Sequence, residues 1–177
     1  QLVAAPFAFR TKLLGWIERE AKNAALGKKA RILAKMNGLA DPAIIKALYK
    51  ASQAGVQIRL CVRGICCLRP GVPGLSDNIR VVSIVDRFLE HSRIFYFEND
   101  TVPEVYIGSA DWMMRNLDFR VEAVCPIEDP QLQRRGREPG LQLQRQGRSV
   151  SLHDWAAEVL AQCAPVAEVA DILQIPA

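Results

Sequence analysis

A chain of 177 residues, half of them apolar, is long enough to close one ordinary hydrophobic core, so one domain followed by a tail is the expectation. It has neither a run of apolar residues long enough for a membrane span nor the layout of a signal peptide, which argues against membrane and secreted classes and for a cytoplasmic protein. The formal net charge of +4 arises within residues 1–130, because basic and acidic side chains cancel from residue 131 onward; any anion-seeking surface therefore belongs to the first part.

Residues 6–26 place Phe9, Leu13, Ile17 and Ala21 four apart, with Leu14 and Ala25 beside them, which predicts an amphipathic helix closed by Gly27. "ARILAKMN" follows as a short strand. In "ADPAIIKALYKASQAG", Asp41 is placed to cap a helix, Pro42 to occupy its first position and Gly55 to stop it, around a stripe of Ile44, Ile45, Leu48 and Ala51. "VQIRLCVRG" alternates Val56, Ile58, Leu60 and Val62 against Arg59, Cys61 and Arg63, the pattern of a strand. A strand, helix and strand in that order imply a parallel pair joined by a crossover.

"GICCLRPGVPGLSDN" carries too many glycines and prolines for regular structure and reads as a long loop. "IRVVSIV" is the next strand, "DRFLE" a short helical turn, "RIFYFEN" and "EVYIG" a hairpin, and "FRVEAVCPI" a last strand. The fold class is α/β, a mixed sheet flanked by helices. Residues 131–150, rich in Gln, Arg and Gly, read as a linker or flexible arm. Residues 151–177 carry Leu152, Trp155, Ala156, Val159, Leu160 and Cys163 at helical spacing behind a Ser151/Asp154 capping box. The chain opens at Gln1, straight into a helical pattern, and reads as a piece of something longer.

Five cysteines without a CxxC or Cys/His metal spacing read as reduced, mostly buried thiols, Cys66 and Cys67 included. Every basic residue after Lys50 is an arginine, the side chain whose planar fork suits phosphate. Arg63, Arg69, Arg80, Arg87, Arg93 and Arg115 fall at predicted strand ends or loops. About half of them are expected to pair with Asp77, Asp86, Glu90, Asp111 or Asp118. Lys35 and Asn37 alternate at the end of a strand, where they can point at phosphate. Trp112 is read as core.

His91 stands at the mouth of the aromatic strand, with Ser92 and Arg93 after it; "IGSADWMMRN" then delivers Gly108 and Ser109 at another strand end. Backbone at such a turn approaches a phosphate closely, serine donates a hydrogen bond, and histidine attacks phosphorus or protonates a leaving oxygen. The arrangement resembles the phospholipase D superfamily signature, His-x-Lys, an aspartate, then Gly-Ser-x-Asn. Arg93 replaces the lysine, Glu98 stands near the aspartate position and Asp111 replaces the asparagine.

Three longer stretches, "LAKMNGLADPAIIKALYKASQAGV", "RGICCLRPGVPGLSDNIRVVSIVDRFLEHSRIFYF" and "VYIGSADWMMRNLDFRVEAVCPI", resemble the second catalytic domain of the bacterial polyphosphate kinase family over about residues 5–130. The resemblance implies a phospholipase D-like domain that serves reversible, magnesium-dependent transfer of the terminal phosphate of ATP to inorganic polyphosphate, in an enzyme expected to form homo-oligomers. His91 then matches the histidine that binds nucleotide phosphate and assists transfer, and Arg63 a nucleotide-phosphate contact. Arg93, Ser109, Lys35 and Asn37 complete the expected phosphate site. No position matches the phosphate-carrying histidine, the magnesium-linked arginines or the purine-stacking tyrosine of that family, so no metal ligand is expected in this chain; His153 lies in the first turn of the predicted terminal helix. Neither a membrane nor a specific nucleic acid is an expected partner. Two other readings stay open on sequence alone: a phosphodiesterase or nuclease that pairs two copies of His91 across a dyad, and a binding remnant that holds polyphosphate without turnover.

Overall fold

The computed structural model describes residues 2–83, 91–130 and 133, all within one compact unit, Gln1–Glu138. Seven strands, β1 (Val3–Ala5), β2 (Arg31–Met36), β3 (Gln57–Val62), β4 (Ile79–Val82), β5 (Arg93–Phe97), β6 (Glu104–Gly108) and β7 (Glu122–Ile127), form one sheet in the order β1-β7-β6-β5-β2-β3-β4. β2, β3 and β4 run parallel, and every other pairing is antiparallel. Among the described residues, α1 (Phe9–Ala25) and α2 (Pro42–Gln53) are the long helices, and a π-helical turn covers Arg115–Phe119. The mixed α/β sheet expected from the sequence is the fold observed.

The crossover from β2 through α2 to β3 forms because α2 has both ends specified. Oδ1 of Asp41 accepts the backbone N–H groups of Ala43 and Ile44, each at 3.0 Å, and Gly55 takes φ +100°, which stops the helix. The second carboxylate oxygen of Asp41 receives Arg10 Nη1 at 2.7 Å, which ties α1 to the start of α2. α1 buries Phe9, Leu13, Trp16, Ile17 and Glu20. Trp16 packs on Tyr106 with ring centroids 4.1 Å apart, and Phe9 on Phe95 at 6.0 Å, so this helix covers the face of the sheet that carries Phe95 and Tyr106. The alternate residues Leu33, Ile94, Tyr96, Val105 and Ile107 are buried as well. Burial on both faces explains why "RIFYF" reads as an unbroken apolar run rather than an alternating one.

Glu20 is the buried acid of the first helix. Its carboxylate accepts the backbone N–H of Asn99 at 2.8 Å and of Arg31 at 3.1 Å, pinning α1 to the start of β2 and to the β5–β6 turn. Burial raises its affinity for a proton, and the two amides oppose that only in part.

The structure departs from the sequence reading at several points. Residues 3–5 form a strand, and α1 begins at Phe9 rather than at residue 6. The described thiols are less buried than expected: Cys61 on β3 and Cys125 on β7 are half-buried, and so is Cys66, while Cys67 is exposed, the last two lying in the loop after β3, which runs over the surface. The "DRFLE" turn with Arg87, the arm over 131–150 apart from Gln133, and the terminal helix with His153 lie outside the described residues.

Candidate active site at the ends of the central strands

β2 and β3 end on the same side of the sheet because they are parallel, with Lys35 opposite Cys61 and Met36 opposite Val62. β5 begins on that side, since Lys35 pairs with Ile94, and β6 ends there, with Gly108 opposite Arg93. Four segments distant in sequence thus deliver Lys35 and Asn37, Arg63, His91 with Arg93, and Ser109 with Asp111 to one rim. Crevices beyond strand carboxyl ends are where open α/β sheets bind ligands.

Arg93 and Asp111 form the centre of the rim. Arg93 donates from Nε to Oδ1 at 3.2 Å and from Nη2 to Oδ2 at 3.1 Å, a two-pronged contact. Oδ1 of Asp111 also accepts the backbone N–H of Asn37 at 2.7 Å, that of Gly38 at 3.3 Å and Asn37 Nδ2 at 3.2 Å. Burial alone would raise the Asp111 carboxyl, but the hydrogen bonds from Arg93, Asn37 and Gly38 outweigh it and hold the group below the ordinary carboxylate range.

His91 is exposed. Its Nδ1 lies 3.2 Å from Arg93 Nη1, and its carbonyl accepts the same Nη1 at 3.3 Å. Partial desolvation and the charges of Arg93 and Arg63 lower its affinity for a proton; Lys35 adds to this and Asp111 opposes it. Lys35 is buried and donates to Ser92 Oγ at 2.7 Å. The Arg63 side chain is half-buried and makes no ion pair among the described residues, while its backbone is fixed by Met36 and Ser83. Oδ1 of Asn37 is buried without a hydrogen-bond partner.

Ser109 is exposed, but its hydroxyl is turned toward β7. Its Oγ donates to Glu122 Oε2 and accepts the backbone N–H of Ala123 at 3.2 Å, and Glu122 Oε1 accepts Asn116 Nδ2 at 2.6 Å. Gly108 is required beside it, since a Cβ there would stand 2.6 Å from the carbonyl oxygen of Ala123. Glu122 and Asn116 are site residues the sequence reading missed. The signal available was a glutamate at the head of the last strand, which has no meaning until β7 is paired with β6.

Other expected residues fall elsewhere. Glu98 sits at the opposite end of β5 from His91, roughly 20 Å along the strand, where it accepts Arg31 at 2.9 Å and the Tyr96 hydroxyl at 2.8 Å. Arg80 lies beside Arg59 on neighbouring strands, and Arg115 opens the π-helical turn. Asp118 pairs with Arg10, at 2.6 Å, rather than with a site arginine. Trp112 is fully buried against Phe95, in the core as read.

The description "Polyphosphate kinase C-terminal domain 2" belongs to a family model that matches residues 2–144. A polyphosphate kinase of Thermosynechococcus vestitus is 62% identical over 133 residues, covering 75% of this chain and 18% of the relative. One from Pseudomonas aeruginosa is 59% identical over 135 residues, covering 76% and 20%. The chain thus spans about a fifth of the length of the curated relatives it matches. The crystal structure of polyphosphate kinase from Porphyromonas gingivalis superposes with a TM-score of 0.73 at 51% identity, covering 76% of this chain and 20% of that one. Nuc from Salmonella typhimurium, a phospholipase D family member, superposes at 0.53 with 20% identity over 78% of this chain and 88% of that one, a likeness of fold. With its sheet, its histidine rim and these matches in agreement, the chain belongs to the polyphosphate kinase family and corresponds to its second C-terminal domain.

Proposed function

We propose that this domain, residues 1–130, holds the terminal phosphates of ATP and of inorganic polyphosphate while a phosphoryl group passes reversibly between them, the phosphate-carrying histidine being supplied from outside this chain. The observation that carries the reading is the rim itself: an exposed histidine facing Arg93, Arg63 and Lys35, with Asp111 the acid that offsets them. Phosphoryl transfer between polyanions needs fixed cations that offset oxygen charge in the transition state. Arg63 and Arg93 supply guanidinium donors, and Lys35 with Ser92 supports the His91 segment. An anion bound at this rim offsets the surrounding positive charge and raises the proton affinity of His91. The histidine then serves as a hydrogen-bond donor to a phosphate oxygen. The Ser109 hydroxyl is engaged with Glu122, so that residue contributes by shaping the turn at Gly108.

Magnesium is the family's expected partner of the ATP phosphates. Among the described residues no three His, Cys, Asp or Glu side chains converge on a cation, and Asp111 is saturated by donors from Arg93, Asn37 and Gly38. The described residues of this rim do not fit a metal site.

The test is ATP labelled on its terminal phosphate, given to the chain alone and to the chain joined to the upstream domains of a family member. Labelled polyphosphate is expected only from the joined protein, and His91→Ala is expected to lower its rate by about two to four orders of magnitude while leaving the fold intact. A folded His91→Ala enzyme that keeps more than about a tenth of the rate would make His91 a structural residue. Phosphohistidine formed at His91 by the chain alone would make it the carrier.

A further inference from the structure

Arg93 and Asp111 are the positions at which this chain departs from His-x-Lys and from Gly-Ser-x-Asn, and in the structure the two departures are a single contact. They lie 18 residues apart in sequence and meet because β5 and β6 pair with Arg93 opposite Gly108. Both side chains are largely withdrawn from water, at 13% and 4% exposure, so the pair is shielded and oriented more firmly than a surface ion pair.

The contact has a direction. Asp111 grips the edge of the guanidinium formed by Nε and Nη2, which leaves Nη1 aimed at His91 Nδ1, 3.2 Å away. Nη1 also reaches the His91 carbonyl at 3.3 Å, and Nη2, one of whose hydrogens goes to Asp111, stands 3.5 Å from His91 Nε2, at the outer limit of a hydrogen bond, so Nδ1 is the ring nitrogen held more closely. Asp111 is itself immobilised by the amides of Asn37 and Gly38, so the aim of Nη1 is set by the backbone at the end of β2. A lysine at position 93 has no second edge with which to do this. A guanidinium only donates, so the closer contact favours the form in which Nδ1 carries no proton.

We infer that Asp111 is a positioning residue for His91: acting through Arg93, it fixes the ring in the form protonated on Nε2, so that His91 meets a phosphate as a donor and not as a nucleophile. The inference rests on reading His91 as the phosphate-facing group. The charged groups around His91 agree with it: among the described residues, Arg93 on β5, Arg63 after β3 and Lys35 on β2 face the ring, with Asp111 after β6 as an acid. Within this rim Arg93 and Asp111 act as one unit, a relay of carboxylate, guanidinium and imidazole.

The test is ring-nitrogen NMR on the 15N-histidine-labelled chain at a pH above the titration of His91. The two histidines are assigned with His153→Gln. In the wild type the form protonated on Nδ1 is expected to be undetectable. In Asp111→Asn, which keeps an acceptor for the Asn37 and Gly38 amides, it is expected to rise several-fold, to the share a free histidine side chain shows. Arg93→Lys disturbs none of those amides and is expected to give the same rise, and the double variant no more than either single one, as for residues acting as a unit. A wild-type ring already at the free-histidine share, or a folded Asp111→Asn ring unchanged, overturns the inference. Failure of the wild-type chain to bind inorganic polyphosphate would instead remove the functional reading, and leaves the NMR result standing.

Discussion

His91 sits where a neutral imidazole and a charged one have different partners. Partial desolvation and the neighbouring cations disfavour its proton, so its titration midpoint is expected below the ordinary value of 6.5. Tripolyphosphate should raise that midpoint, because an adjacent anion favours imidazolium; proton NMR of the ring, with and without the anion, measures both. The sign for stability follows from the same direction. The folded chain binds this proton less readily than the unfolded chain, so the linked stability is present above about 6.5 and declines as pH falls through it. Arg63 is the second single-residue test. Its side chain is half-buried at the end of β3, on the rim that carries His91. Arg63→Lys is expected to weaken nucleotide binding by about tenfold although the charge is kept, since an ammonium cannot reproduce a two-pronged contact. Equal dissociation constants in a titration calorimeter would reduce Arg63 to a source of general field.

Among the elements, the β6–β7 pair is the least tolerant of change near the site. Gly108→Ala would set a methyl group 2.6 Å from a backbone oxygen of β7, and separating the strands would also loosen Ser109 from Glu122. The expected cost is about 1–3 kcal/mol, read as a lower denaturant midpoint with an unchanged slope. Elements whose patterns are local were legible in the sequence. The period of α1, the Asp41–Pro42 start of α2 and the alternation of β3 each follow from a few adjacent residues. β1 was not legible, because three residues show no period and the strand exists only through its pairing with β7. Likewise the sequence placed His91, Arg63 and Arg93 together, whereas the position of Glu98 at the wrong end of β5 depends on strand direction. The Arg93–Asp111 and Ser109–Glu122 contacts depend on register across β5, β6 and β7, which spacing along one chain does not contain.

For the molecule as a whole, the positive charge lies in the part that carries the rim. Polyphosphate binding is therefore expected to weaken steeply with added salt, as for any polyanion neutralised by fixed cations. A flat dependence between about 50 and 200 mM salt, measured by fluorescence anisotropy of labelled polyphosphate, would argue against an anion groove. The order of the sheet, β1-β7-β6-β5-β2-β3-β4, has a further consequence for how the protein is made. β2 is the middle of the finished sheet, with β3 on one side and β5 on the other, yet β5 leaves the ribosome almost sixty residues after it. At ordinary rates of translation that interval lasts several seconds. Throughout it the strand that ends in Lys35 and Asn37 is a naked edge bearing Leu33, with the β-strand groups of an aggregation template. The rim is thus completed only late in synthesis, and the nascent chain is most vulnerable before β5 covers that edge.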